Sequence, residues 1–269
     1  METVTHDGRE TAYRVVRGAA EATGGADEEA GGSAANGVLY VHGSGATHRV
    51  WGYQYAPAGP AHPAVALDLA GHGESGDLDT EPGEPTLDAY ARDVIAVARV
   101  TGADVLAGNS LGGAVVLWVA LETEFDPAAL VLAGTGAKLT VHEDLRAALA
   151  TDFEAAVDAL HGGNGFFHAA DDRALERSKA QLRATGRAVT ERDFLTCHRF
   201  DVRDRLDEVD ARSLALVGEY DELTPPRYHE FLAERMPDCE YATVGDAAHL
   251  AMVERPAAFN ERVAAFLSR

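Results

Sequence analysis

Cysteine is scarce in this chain: among 269 residues only Cys197 and Cys239 occur. Two thiols this far apart exclude a disulfide scaffold and match no zinc-site spacing, so no metal ligand set is expected. No run of about eighteen apolar residues is present, which argues against a membrane-spanning helix. The polar start, Met1-Glu2-Thr3-Val4-Thr5-His6-Asp7, lacks the basic-then-apolar order of a secretory signal, so the expected location is cytoplasmic. Lysine is nearly missing too. Lys138 and Lys179 are the only two, and arginine supplies the rest of the 23 basic residues. Against these stand 44 acidic residues, for a net charge of −21. So acidic a surface repels phosphate backbones, which argues against nucleic acid or an anionic membrane as partner.

What is present suits a globular protein: 46% of residues are apolar and 25% charged. The length allows one large domain, or one domain carrying a sizeable insertion. The scarcity of lysine beside abundant Ala and Asp resembles the composition of proteins from extreme halophiles, in which counter-ions screen the self-repulsion.

Glu2–His6 and Thr11–Arg17 flank Asp7-Gly8, a turn pair, and read as a hairpin. Ala19–Gly37 has no periodicity and reads as a surface loop. Short apolar runs then recur at Val38–His42, Ala64–Asp68, Asp104–Gly108, Leu130–Ala133, Leu214–Gly218 and Glu240–Val244. Each reads as a buried parallel strand, apolar on both faces. Helical patterns at Thr86–Val100, Leu111–Glu122, Pro225–Met236 and Pro256–Leu267 alternate with them, which predicts an α/β fold with helices on both faces of a mostly parallel sheet. From Leu139 to Asp210 the alternation stops and only helical pieces remain, about Glu143–Ala150, Asp152–Leu160, Asp171–Ala184 and Thr190–Arg199. A connection this long predicts a helical lid, residues 139–210, set into a core of residues 1–138 and 211–269, over the carboxyl ends of the strands.

Gly108-Asn109-Ser110-Leu111-Gly112 ends one apolar run and opens a helix. This is G-x-S-x-G between a strand and a helix, where Gly108 and Gly112 let the two backbones approach and a strained turn lifts Ser110 clear as a nucleophile. The Leu111 N–H is then aimed where an oxyanion would form. His42-Gly43-Ser44-Gly45 leaves another strand and can offer a second donor, Ser44 N–H, with Gly45 the competing register; His42 and Gly43 read as bracing this loop. A serine nucleophile needs a base and an orienting acid. His249, just past the last strand-like run, is the candidate base, while His72, His198 and His229 read as loop, lid and surface residues. Asp221, on the loop of Gly218-Glu219-Tyr220-Asp221, is favoured as the acid over Glu219 at the strand's end.

From about Val38 onward the chain resembles the α/β-hydrolase superfamily, in its lidded esterase-like branch. The resemblance rests on His42-Gly43-Ser44-Gly45, Asp68-Leu69-Ala70-Gly71-His72-Gly73-Glu74-Ser75, Gly108-Asn109-Ser110-Leu111-Gly112-Gly113, Phe200-Asp201-Val202-Arg203, Gly218-Glu219-Tyr220-Asp221 and Ala248-His249. It implies a cofactor-independent serine hydrolase that takes a small-molecule acyl substrate, a small carboxylic ester, through Ser110, Asp221 and His249. Carbon–carbon bond hydrolases, lactonases and cofactor-free perhydrolases share these marks, as do some receptors that have the fold without the activity. Gly71-His72-Gly73-Glu74-Ser75-Gly76 satisfies G-x-G-x-x-G but opens no helix, so it reads as a structural turn and not a dinucleotide site. Phe153, Phe166, Phe167, Phe194 and Phe200 read as the lid's own core, with Phe166 or Phe167 as candidates to line an acyl pocket.

Overall fold

Asp7 and Gly8 have φ of 47° and 76°. Two consecutive left-handed residues make the tight turn whose twist matches its flanking strands, and they join β1 (Glu2–His6) to β2 (Arg9–Val16) with His6 opposite Arg9. The computed structural model that carries this hairpin describes residues 1–16, 37–55 and 62–269. The expected Ala19–Gly37 loop, save Gly37, lies outside the described residues.

The apolar runs form β3 (Val38–Val41), β4 (Ala64–Leu67), β5 (Val105–Asn109), β6 (Ala129–Ala133), β7 (Arg212–Gly218) and β8 (Cys239–Val244). With the hairpin they make an eight-stranded sheet in the order β1-β2-β4-β3-β5-β6-β7-β8. β1 and β2 run antiparallel, β2 joins β4 antiparallel, and every pairing from β4 to β8 is parallel. β3 to β6 are buried at every residue, as strands covered on both faces should be. β8 departs from the expectation. As the edge strand it has one neighbour, and only Val244 of its six residues is buried.

Strand order fixes where a site can form. The chain leaves β3, builds β4 on one side, then crosses back to lay β5 on the other side of β3. Connections from β3 and β5 therefore depart in opposite directions and leave a crevice beyond their carboxyl ends. Val41 pairs with Gly108, so His42-Gly43-Ser44-Gly45 and Ser110 emerge side by side at that crevice.

Helices α1 (Glu84–Thr101) and α2 (Leu111–Glu122) pack together against the sheet. Pro85 sits in the first turn of α1 and Gly102 ends it at φ 72°, both expected of a helix boundary. α2 is apolar nearly all round and has eight buried residues, so it is an internal helix. Between β6 and β7 lie four helices, α3 (Glu143–Thr151), α4 (Phe153–Leu160), α5 (Asp172–Thr185) and α6 (Arg187–Arg199). Asp152 and Asp171 cap α4 and α5 by accepting from Ala155 N–H and Asp172's neighbour two places on, Ala174 N–H. The ends of this insertion are stitched together: Lys138 bridges Asp201, and Val202 N–H donates to the Ala137 carbonyl at 2.8 Å. α7 (Pro226–Arg235), α8 (Ala251–Glu254) and α9 (Pro256–Leu267) complete the chain. Among the described residues no helix is long and apolar enough to cross a membrane.

Candidate active site

Ser110 lies between β5 and α2 with φ 55° and ψ −116°. That conformation is costly for a residue with a side chain and persists only when its surroundings hold it. Three bonds do so: Ser110 N–H donates to Ala133 O at 3.0 Å, while Ser110 O accepts from Ala114 N–H at 3.1 Å and from Thr135 Oγ1 at 2.8 Å. The flanking glycines are steric necessities. A Cβ on Gly108 would lie 2.2 Å from Gly112 O, and one on Gly112 would lie 2.2 Å from Val41 O. Strand, turn and helix are compressed until Ser110 reaches the cavity above the sheet.

His249 and Asp221 meet on the loops after β8 and β7. These loops are pinned together, with Tyr220 N–H donating to Ala247 O at 2.9 Å. His249 Nδ1 lies 2.9 Å from Asp221 Oδ2, and both side chains are buried. Asp221 also accepts from Leu223 N–H at 2.9 Å, Thr224 N–H at 2.8 Å and Thr224 Oγ1 at 2.8 Å. Burial alone would raise this carboxyl, but facing His249 and the bonds from Thr224 outweigh it and hold the group below its ordinary range. An ionised carboxylate can only accept, so the neutral His249 ring holds its proton on Nδ1 and presents its Nε2 lone pair. The Phe166 ring stacks on His249, with centroids 5.9 Å apart and planes 12° from parallel. Glu219 is exposed instead, and its Oε2 accepts from Asp246 N–H at 3.4 Å. Asn109 joins the serine turn to the histidine loop, donating from Nδ2 to Ala133 O at 3.2 Å and to His249 O at 3.4 Å.

The His42-Gly43-Ser44-Gly45 turn presses against Ser110. A Cβ on Gly43 would stand 3.1 Å from Ser110 Cβ and from Asn109 O, so a larger residue here would have to push the serine turn back by a few tenths of an ångström. Both His42 nitrogens are engaged within the loops: Nδ1 donates to Gly43 O at 2.9 Å, and Nε2 accepts from Leu69 N–H at 3.1 Å. Burial, with the His72 ring alongside, pushes His42 down to about 4 and keeps it neutral. Gly45 N–H donates to Asp193 Oδ2 at 3.0 Å, which leaves Ser44 N–H as the member of the pair not committed to that carboxylate. Leu111 is the first residue of α2, so its N–H has no carbonyl within the helix to reach.

Ser44, Ser110 and His249 share the wall of one cavity of about 1130 Å³. Leu139, Val141, Leu145, Phe166, Phe167 and Phe194, all from the segment between β6 and β7, supply apolar lining; Phe153 and Phe200 stay out of it. Cys197 also lines it, but burial pushes its thiol up to about 12, which makes it a poor nucleophile.

Several buried groups around the site carry no sequence signal. Asp193 on α6, Thr135 after β6 and Thr224 after β7 act through contacts that only packing creates. Glu254 on α8 accepts from His168, Ala169 and Ala248 N–H groups at 2.9, 2.8 and 2.7 Å, tying the insertion to the histidine loop. His229 is a correction. It is no surface residue: it is fully buried, and its Nε2 accepts from Thr135 N–H at 2.9 Å behind Ser110. Its spacing from Leu232 on α7 marks one buried helix face and was the available signal. His72 lies on a loop as expected, yet it too is buried, 2.9 Å from Asp193.

Comparison with known proteins bears on this geometry. The chain is 30% identical over 237 residues to a pimeloyl-[acyl-carrier protein] methyl ester esterase of Neisseria meningitidis, covering 82% of this chain and 73% of that one. It is 24% identical over 241 residues to 3-oxoadipate enol-lactonase 1 of Acinetobacter baylyi, covering 86% and 88%. A solved thermophilic esterase superposes with a TM-score of 0.83 at 28% identity, over 99% of this chain and 96% of that one. Residues 38–262 match the Alpha/beta hydrolase family. The chain belongs to the alpha/beta hydrolase family, and it has that family's fold and hydrolase relatives.

Proposed function

We propose that the protein is a serine hydrolase that cleaves a small carboxylic ester through Ser110, His249 and Asp221. His249 Nε2 takes the proton of Ser110 Oγ as Oγ bonds to the acyl carbon. The carbonyl oxygen becomes an oxyanion held by Ser44 and Leu111 N–H. Collapse breaks the ester C–O bond, and the imidazolium returns its proton to the leaving alcohol. Water, deprotonated by His249, then cleaves the acyl-enzyme and frees Ser110. The chain's own residues supply every group in this scheme, without a cofactor. The helical insertion serves as a lid, and its apolar wall receives the acyl part of the small-molecule substrate.

One observation carries the reading. Asp221 fixes the His249 tautomer at 2.9 Å, and His249 shares a cavity wall with a serine held at positive φ. A lactone substrate is the second reading, favoured by the likeness to an enol-lactonase. The test is turnover of p-nitrophenyl esters of increasing chain length, beside lactones and vinylogous diketones, by wild type, Ser110→Ala and His249→Ala. Each variant should stay folded and lose on the order of 10⁴-fold or more in kcat. Near-wild-type hydrolysis by folded Ser110→Ala would refute the mechanism.

A further inference from the structure

A trans peptide is planar, so holding its carbonyl oxygen also fixes where the N–H on its other side points. Ser44 N–H belongs to the peptide whose oxygen is Gly43 O. That oxygen accepts from His42 Nδ1 at 2.9 Å and from Ala46 N–H at 3.2 Å. The peptide on the other side of Ser44 is held through Gly45 N–H, and the holder comes from the insertion: Asp193 Oδ2 on α6, at 3.0 Å. Gly45 O is also held by the insertion, accepting from Thr185 Oγ1 at the end of α5 at 2.8 Å. Both planes flanking Ser44 are therefore clamped, one of them from outside the sheet domain.

Asp193 is itself over-determined. It is fully buried, its Oδ2 also lies 2.9 Å from His72 Nε2, and its Oδ1 accepts from Tyr90 OH at 2.7 Å. His72 Nδ1 faces Ala70 O at 3.1 Å. A carbonyl and a carboxylate can only accept, so both His72 nitrogens donate and the ring is an imidazolium. The His72 ring in turn packs on His42 with centroids 4.6 Å apart, which closes a circuit from α6 back to Gly43 O. Rotating the Ser44 peptide would take one of its three donors from a buried carboxylate.

We propose that Asp193 is a positioning residue of the reaction: through Gly45 N–H and His72, the helical insertion keeps Ser44 N–H aimed at the oxyanion formed on Ser110. This rests on the serine-hydrolase reading and on Ser44 as donor. An insertion seated on the core completes the hole; an insertion displaced from it releases one donor. Asp193 touches no reacting atom, so its effect should fall on the transition state.

The test is steady-state hydrolysis of p-nitrophenyl acetate together with inhibition by phenylboronic acid, whose tetrahedral adduct on Ser110 places an oxygen in the hole. Asp193→Ala should lower kcat by about 10²-fold, the scale of losing one oxyanion donor, with KM within about threefold. The inhibition constant of the boronic acid should rise by a similar factor. Asp193→Asn keeps one oxygen for Gly45 N–H and His72 while its amide faces Tyr90 OH, so it should recover kcat to within about tenfold of wild type. A folded Asp193→Ala enzyme with wild-type kcat, or with unchanged boronic acid affinity, overturns the proposal. If Asp193→Ala does not fold, Asp193→Ser decides, because its hydroxyl falls short of Gly45 N–H: kcat several-fold lower at constant KM supports the role, and wild-type kcat overturns it. Ser110→Ala run in parallel separates the two readings, because activity there removes the serine mechanism and leaves nothing for Asp193 to position.

Discussion

Exchanging Asp221 for Asn changes one atom and should silence the enzyme while leaving the fold intact. In the wild type, one carboxylate oxygen accepts from Leu223 N–H at 2.9 Å and Thr224 N–H at 2.8 Å. In Asp221→Asn the amide oxygen keeps both bonds. The amide nitrogen then takes the other position, 2.9 Å from His249 Nδ1, where it donates. His249 must accept at Nδ1 and carry its proton on Nε2, the nitrogen that in the proposed mechanism receives the Ser110 proton. The wrong tautomer costs about 10⁴-fold in kcat, equivalent to about 5.5 kcal/mol in the barrier. Glu219 supplies the internal control. It is exposed, with a single 3.4 Å contact to Asp246 N–H, so Glu219→Gln should change stability by no more than about 0.5 kcal/mol and leave kcat within a few-fold. The assay is kcat for p-nitrophenyl acetate in both variants, at matched thermal midpoints. An active Asp221→Asn beside an impaired Glu219→Gln would transfer the orienting role and refute the argument.

Ser110→Gly should abolish activity yet raise the thermal midpoint by a few degrees, because glycine relieves about 1 kcal/mol of strain at φ 55°; calorimetry showing a lower midpoint would contradict a strained turn. Stability should fall as pH drops from about 6.5 towards about 4. His42 and His229 are buried neutral with folded values lowered to about 4 from 6.5, so in that window the unfolded chain binds more protons, at a cost on the order of 3 kcal/mol per histidine. His72 works in the opposite sense: its raised value gives a contribution that is full below about 6.5 and is lost as pH rises through the folded value. Midpoints that stay level between pH 7 and pH 4.5 would count against the neutral pair. Finally, with a net charge of −21, shortening the Debye length from about 10 Å at 0.1 M to about 3 Å at 1 M should relieve self-repulsion. The midpoint should therefore climb from 0.1 to 3 M KCl, and by more than in sucrose, which stabilises by exclusion without screening charge; a level or falling KCl curve would reject the salt-adapted reading.

Sequence by itself settled whatever depends on neighbours along the chain. Asp7-Gly8 marks a turn because its backbone conformation is local, and the apolar runs mark strands because a strand covered on both faces needs no polar face. Gly108-Asn109-Ser110-Leu111-Gly112 was legible for the same reason: strand, turn and helix must pass within van der Waals contact inside five residues. Packing decided the rest. Whether β8 is buried depends on its place in the sheet, and the strand order leaves it at the edge with one flank open. Asp221 and Glu219 are two residues apart and chemically alike, and only the path of the loop from β7 turns one toward His249 and the other to solvent. That the Gly45 N–H is taken up while Ser44 N–H is not bound to the same group follows from Asp193, 148 residues beyond Gly45, whose carboxylate accepts it. A buried polar group is defined by the partner that satisfies it, and for Asp193 that partner comes within reach only once the insertion has folded onto the core.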